Sequence, residues 1–82
     1  MNIYKLSQQE NCDWDTFDSI VVCANSPEDA KNINPHGESF DSDSSIPYND
    51  WAKSKEAIKC ELIGKANKDV ERGVILASFN AG

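Results

Sequence analysis

The chain has 82 residues, a hydrophobic fraction of 39% and a formal net charge of −6 at pH 7. This length supports one domain with a small core, and the composition excludes a disordered tail. The charge is divided unevenly, because residues 1–50 carry ten acidic and two basic side chains, whereas residues 51–82 carry four and six. Such polarity is typical of recognition by surface electrostatics.

The first predicted element is a strand over residues 2–8, in which Ile3 and Lys5 alternate with Tyr4 and Leu6. Residues 9–16 are rich in Asn, Asp and Gln and predict a connection. A second strand follows over residues 17–24, and its β-branched stretch favours a central position covered on both faces. We expect the two strands to pair in antiparallel fashion.

A short helix is predicted next, because Ser26 and Pro27 form an N-cap and first-turn signal followed by two carboxylates. Ala30 and Ile33 give it a narrow apolar stripe. Proline and glycine soon afterwards prevent continuation. Residues 34–50 lack periodicity and contain four serines and four acidic residues, so they predict a long acidic loop suited to binding.

The last part of the chain predicts two more strands. Residues 51–57 fit either a helical turn or an irregular approach to a strand over residues 58–63, which places Ile58, Cys60 and Leu62 on one face. Gly64 indicates a bend or bulge after it. Residues 67–73 predict a tight connection, and residues 74–79, with almost no polar side chain, predict a buried strand. The sum is one α+β domain over residues 1–82, a four-stranded antiparallel sheet with one short helix in the order ββαββ.

The sequence indicates a cytoplasmic protein without membrane association. The longest apolar run, residues 20–24, is too short to cross a bilayer, and the N-terminal residues lack the features of a signal peptide. The three cysteines, Cys12, Cys23 and Cys60, are odd in number and follow no metal-binding or disulfide spacing. We expect Cys23 and Cys60 to act as small buried hydrophobes and Cys12 to be exposed.

Motifs for chemistry are mostly absent from the sequence. The single histidine, His36, lies in a Pro-His-Gly setting typical of a loop, and no glycine-rich phosphate loop occurs. Asp41 and Asp43 imitate the start of a calcium loop, but Ile46 and Ala52 occupy the positions that require glycine and glutamate. We therefore expect no metal, no cofactor and, more often than not, no enzymatic activity.

The candidate binding residues combine carboxylates with nearby aromatic side chains, a composition found at interface hot spots. The alternatives are that the tryptophans anchor the core, which is their commoner role, and that the acidic groups only maintain solubility. Direct nucleic-acid binding is not expected, because the basic groups are dispersed and the first half repels phosphates. The candidates are Asp13, Trp14, Asp15, Asp18, Asp41, Asp43, Tyr48, Asp50 and Trp51.

Three segments carry a resemblance to a known group of proteins: residues 3–8, residues 18–22 together with Ala30, and residues 73–82. In these segments the chain resembles a family of small uncharacterised proteins, a domain of unknown function found in phages, prophages and bacteria. The family supplies no functional residues. The resemblance implies a mobile-element context, in which small acidic proteins often inhibit or redirect host machinery.

The favoured hypothesis is a non-enzymatic acidic protein-interaction module, such as a phage-type accessory protein or an inhibitor of a host defence or nucleic-acid-binding system. Its partner would be a host or phage protein. One alternative is a small-molecule binder or sponge built at a homodimer interface, since a chain this small gains stability from a second copy. Another is a small hydrolase that uses Cys12 or His36 with a carboxylate.

Overall fold

The fold is a four-stranded antiparallel sheet with one short helix, as predicted, and belongs to the α+β class. The computed structural model describes residues 1–9, 16–37, 51–52 and 54–80. Within these residues the elements are β1 (Asn2–Ser7), β2 (Thr16–Ala24), α1 (Pro27–Lys31), a 3-10 turn (Lys55–Ala57), β3 (Lys59–Lys65) and β4 (Gly73–Asn80).

The strands lie in the order β3-β1-β2-β4. The expected antiparallel pairing of β1 with β2 is confirmed, and it sets Tyr4 opposite Val22 and Leu6 opposite Ile20. This order confirms the predicted central position of β2, which lies between β1 and β4. Coverage on both faces is incomplete, however, because Val21, which alternates with the buried Ile20 and Val22, is only half-buried.

The start of α1 confirms the predicted capping signal. Ser26 Oγ accepts a hydrogen bond from the Asp29 backbone N–H at 3.1 Å, and Pro27 occupies the first turn, where its missing N–H costs nothing. The helix ends before a turn in which the Gly37 N–H donates to the Asn34 carbonyl at 2.9 Å. Gly37 has φ +80°, a left-handed conformation that favours glycine.

The core lies between one face of the sheet and α1. It contains Tyr4, Leu6, Ile20 and Val22 from the central strands, and α1 packs against β1, β2 and β3. Burial of a single side chain such as Ile33, 1% exposed, contributes about 1.5–3 kcal/mol. The remaining core residues are Ala24, Ala30, Trp51, Ala52 and Ile58.

The prediction that β4 is buried is wrong, because Ile75 is 48% and Leu76 67% exposed. Cys60 lies opposite Leu6 and Leu62 opposite Tyr4, so both share the core face of β3 as predicted, although Leu62 is 63% exposed there. The sheet order places β3 and β4 at the two edges. Leu76 aligns with Val21 on the face away from α1. On the face that α1 does cover, a helix of five residues, about 7.5 Å long, is shorter than the roughly 14 Å across four strands.

Both edge strands contain an irregularity in their pairing. In β3 the register moves from Gly64 opposite Ile3 to Leu62 opposite Tyr4, which leaves Ile63 as the extra residue of a bulge. The bulge predicted at Gly64 therefore falls one residue earlier. In β4 the corresponding extra residue is Ile75, opposite the step between Val21 and Val22 of β2.

Candidate functional site

The sheet face opposite α1 is here called the open face. Two rows of side chains cross it, because antiparallel pairing aligns one residue of each strand. None of these residues is fully buried. One row consists of Glu61, Lys5, Val21 and Leu76, and the other of Lys59, Ser7, Ser19 and Ser78.

The far end of the open face is closed. Cys23, on the same side of β2 as Val21, has no exposed surface, and its Sγ lies 4.0 Å from Met1 Sδ and 3.9 Å from the Val70 carbonyl. This agrees with the predicted role of Cys23 as a small hydrophobe. The exposed part of the open face therefore begins beyond Cys23, at the row that contains Val21.

At the end that carries the serines, a shallow polar depression of about 550 Å³ lies over β1 and β2. Lys5 provides a cation, Ser7 and Ser19 provide hydroxyl groups that donate or accept, and Asp18 provides a carboxylate. Gln8 and Gln9 complete the lining. Such a surface can bind polar groups of either charge.

Gln8 fixes the rim of this polar depression. Its side chain is buried, and its Nε2 donates to the Phe17 carbonyl at 2.8 Å. Its backbone N–H donates to the Asp18 carbonyl at 3.1 Å, which continues the β1–β2 pairing beyond Ser7. The two bonds hold the β2 backbone at Phe17 and Asp18, so the position from which the Asp18 side chain projects is defined.

Asp18 is the predicted site residue that the structure places on this surface. It is exposed and lies at a third bulge of the sheet, where β2 passes from Phe17, opposite Phe79, to Ser19, opposite Ser78. An extra residue in a strand leaves the ladder and re-aims its side chain. The Asp18 carboxylate is consequently presented at the rim.

Trp51, the other predicted site residue that the structure describes, lies in the core and is 6% exposed. This is the core-anchor alternative considered for the tryptophans, and it leaves Trp51 little surface for a partner. The remaining candidates lie outside the described residues. They are Asp13, Trp14, Asp15, Asp41, Asp43, Tyr48 and Asp50.

The sequence analysis did not single out Lys5, Ser7 and Ser19 as a site. A signal was available in β1, where Lys5 and Ser7 occupy alternate positions between core residues. Their juxtaposition with Ser19 depends on the register of β1 against β2, which pairs Ser7 with Ser19. Register is a property of the folded sheet, so strand periodicity alone could not reveal the cluster.

Of the two residues considered for catalysis, Cys12 and His36, the structure describes His36. His36 lies in the turn after α1, where its ring contacts Phe17 edge-on with centroids 5.6 Å apart. Cys60 is half-buried against the core, and this burial raises the pKa of its thiol. Cys12 lies outside the described residues. A raised pKa disfavours the thiolate and hence nucleophilic reactivity at Cys60.

Within residues 1–9, 16–37, 51–52 and 54–80, no three His, Cys, Asp or Glu side chains are grouped so that they could hold a metal ion. The same part of the chain contains no helix with the length and apolar character required to span a membrane. The sequence matches no protein-family model and no curated protein, and the fold matches no solved structure.

Proposed function

We propose that this protein is a non-enzymatic interaction module that binds the basic surface of a protein partner through its acidic segment, residues 10–18. The observation that carries the proposal is the exposure of Asp18 at the rim of the open face. β1 ends at Ser7 and β2 begins at Thr16, and the sequence between them includes Asp13, Trp14 and Asp15.

Charge complementarity favours a cationic partner. The chain carries −6 overall, and the acidic excess lies in its first half. A basic groove of a nucleic-acid-binding protein offers the matching surface, because it is shaped to accept a row of anionic groups. A host or phage protein of this class, inhibited by occupation of its groove, is the partner that we propose.

The open face can form the part of the interface that surrounds the acidic segment. Its rows mix apolar side chains such as Leu76 with charged and hydroxyl groups such as Lys5 and Ser19. Interfaces that form and dissociate have this mixed composition, whereas permanent ones are more apolar.

We also keep four features predicted from the sequence as part of this proposal. They are the complete order ββαββ, a long acidic loop over residues 34–50, a cytoplasmic location and membership of a phage-type family.

The test compares two triple variants that lose the same charge. Asp13→Asn, Asp15→Asn and Asp18→Asn neutralise the acidic segment, whereas Glu56→Gln, Asp69→Asn and Glu71→Gln neutralise exposed groups elsewhere. Each tagged protein is used to capture proteins from a bacterial lysate, and bound proteins are eluted with duplex DNA. We expect the wild type and the second variant to retain a basic protein that DNA displaces, and the first variant to lose it.

The proposal would be overturned if the wild type and both variants retained the same basic protein. It would also be overturned if duplex DNA did not displace that protein. Salt adds a second criterion. Contacts between carboxylates and an exposed basic groove are screened, so the affinity should fall steeply as ionic strength rises. An affinity unchanged between low and high salt would indicate an apolar interface instead.

The polar depression favours a second candidate function, the binding of a small polar molecule. Its lining offers the Lys5 ammonium group for an anionic group and the hydroxyls of Ser7 and Ser19 for hydrogen bonds. Native mass spectrometry after incubation with cell metabolites would detect a small mass increment. The increment should disappear in Lys5→Met and persist in Lys68→Met, an exposed lysine elsewhere.

A further inference from the structure

In the described sheet, β4 is an edge strand. Its other side pairs with β2, so the backbone N–H and C=O groups directed outward along Gly73–Asn80 have no strand beside them within the described sheet. Ile75 and Leu76 are 48% and 67% exposed on this strand. An edge of this kind is a template for the addition of another strand.

The opposite edge is protected. β3 carries charged side chains at Lys59, Glu61 and Lys65, all exposed, whereas Gly73–Asn80 contains no charged residue. Charges on an edge strand oppose pairing, because an added strand would have to desolvate them or meet like charges. The bulge at Ile75 interrupts β4 near its start, and residues 76–80 contain no extra residue of their own.

We propose that β4 pairs with β4 of a second copy of this chain, in antiparallel fashion, to form a dimer with one continuous eight-stranded sheet. In a two-fold contact the same patch meets itself, so a patch whose charges are mostly of one sign meets that sign again. In a chain of net charge −6, a strand without charged residues brings no like charges together at the contact between two copies. β4 is such a strand.

The pairing of β4 with β2 defines the register of the dimer. Leu76 and Ser78 lie on the open face, and Ala77, between them, lies on the core face opposite Ile20. A two-fold axis at Ala77 keeps each face continuous and sets Leu76 of one copy beside Ser78 of the other. It also places the bulge at Ile75 outside the central pairs.

The dimer contact uses the outer edge of β4, whereas Thr16 and Phe17 of the acidic segment pair with its inner edge, at Asn80 and Phe79. Dimerisation would give each assembly two copies of the acidic segment. Failure of the dimer would leave the proposed function intact, since a single copy contains the complete acidic segment.

The experiment measures the mass of the wild-type chain and two variants by sedimentation equilibrium up to about 100 μM. Leu76→Lys places a charge on the proposed interface, and Leu62→Lys places one on an equally exposed leucine of the opposite edge. We expect a wild-type dimer, a dissociation constant raised at least about tenfold by Leu76→Lys, and no change with Leu62→Lys. Circular dichroism confirms that each variant is folded.

A second measurement tests the register. Directly opposed residues of antiparallel strands have Cα atoms about 4.5–5.5 Å apart, within the range that a disulfide spans. Ala77→Cys should therefore cross-link two copies on mild oxidation, above the background of the wild-type cysteines, and Glu61→Cys should not. A monomeric wild type at every concentration, or a dimer weakened by Leu62→Lys rather than Leu76→Lys, would overturn the proposal.

Discussion

Arg72 and Asp29, which are 43 positions apart, form a two-point ion pair that joins the β3–β4 connection to the start of α1. Arg72 Nε lies 2.9 Å from Asp29 Oδ1 and 3.0 Å from Oδ2, and Arg72 Nη2 lies 2.8 Å from Oδ1. Asp29 Oδ2 also accepts the Asn25 backbone N–H at 3.1 Å. One carboxylate therefore fixes three segments of the chain.

Replacement of Arg72 by alanine should destabilise the protein by about 1 kcal/mol, a value reduced for the exposure of the pair to solvent. Lys59→Ala is the matched control, since the Lys59–Glu61 pair, with 3.2 Å between Nζ and Oε1, is more exposed. Lys59→Ala should lower the free energy of unfolding by at most about 0.5 kcal/mol. Urea denaturation measures both values, and equal losses would contradict the structural role of Arg72.

The stability contributed by Asp29 should depend on pH. The hydrogen bond from Arg72, followed by that from the Asn25 backbone N–H, lowers the pKa of Asp29 from its ordinary value of 3.8. Because the folded protein binds the proton more weakly than the unfolded chain, this stability is complete above the ordinary value and is lost as the pH falls through the lower folded value.

Wild type and Asp29→Asn should therefore differ most in free energy of unfolding at neutral pH. The difference should shrink as the pH falls below about 4. Urea denaturation of both proteins between neutral pH and strongly acidic pH gives the comparison. A difference that is constant over the whole range would show that the charge of Asp29 is irrelevant to stability.

The N-cap of α1 should make a measurable contribution. Ser26→Ala removes the oxygen that accepts the Asp29 N–H, at an expected cost of about 1 kcal/mol. Ser26→Asp should restore most of this loss, since a carboxylate caps as well as a hydroxyl. Ser78→Ala, at an exposed strand position, should change little. Equal effects of Ser26→Ala and Ser78→Ala in thermal denaturation would exclude a capping role.

The core and the edges should respond differently to truncation. Ile33→Ala removes a side chain that is 1% exposed and should cost about 2–5 kcal/mol, because it leaves a cavity in the core. Ile63→Ala removes one that is 53% exposed, and should cost less than about 1 kcal/mol. Urea denaturation tests the pair, and similar costs would contradict the assignment of the core to one face of the sheet.

Local signals predicted the first half of the described fold well. The alternation in residues 2–8, the β-branched run and the Ser26-Pro27 cap each act over a few neighbouring residues, and the structure shows the corresponding β1, β2 and α1. The four-stranded antiparallel sheet with one short helix was predicted from these signals together with the apolar patterns of the last two strands.

The position of β4 could not be predicted in the same way. A continuous apolar stretch such as residues 74–77 fits a buried central strand, and an edge that pairs with another chain has the same composition. The choice depends on strand order, which is set by contacts between distant parts of the chain. The polar cluster formed by Lys5, Ser7 and Ser19 was not predicted for the same reason, because it depends on the pairing of β1 with β2. Asp18 was predicted from its own acidic surroundings in the sequence.

An NMR titration of the isotopically labelled chain with a basic protein that it retains tests the central claim most directly. The proposal predicts amide shift changes centred on Asp18 and Ser19, together with Gln9, the residue before the acidic segment. These changes should disappear at high salt. Changes confined to β3, with Asp18 and its neighbours unaffected, would contradict the account.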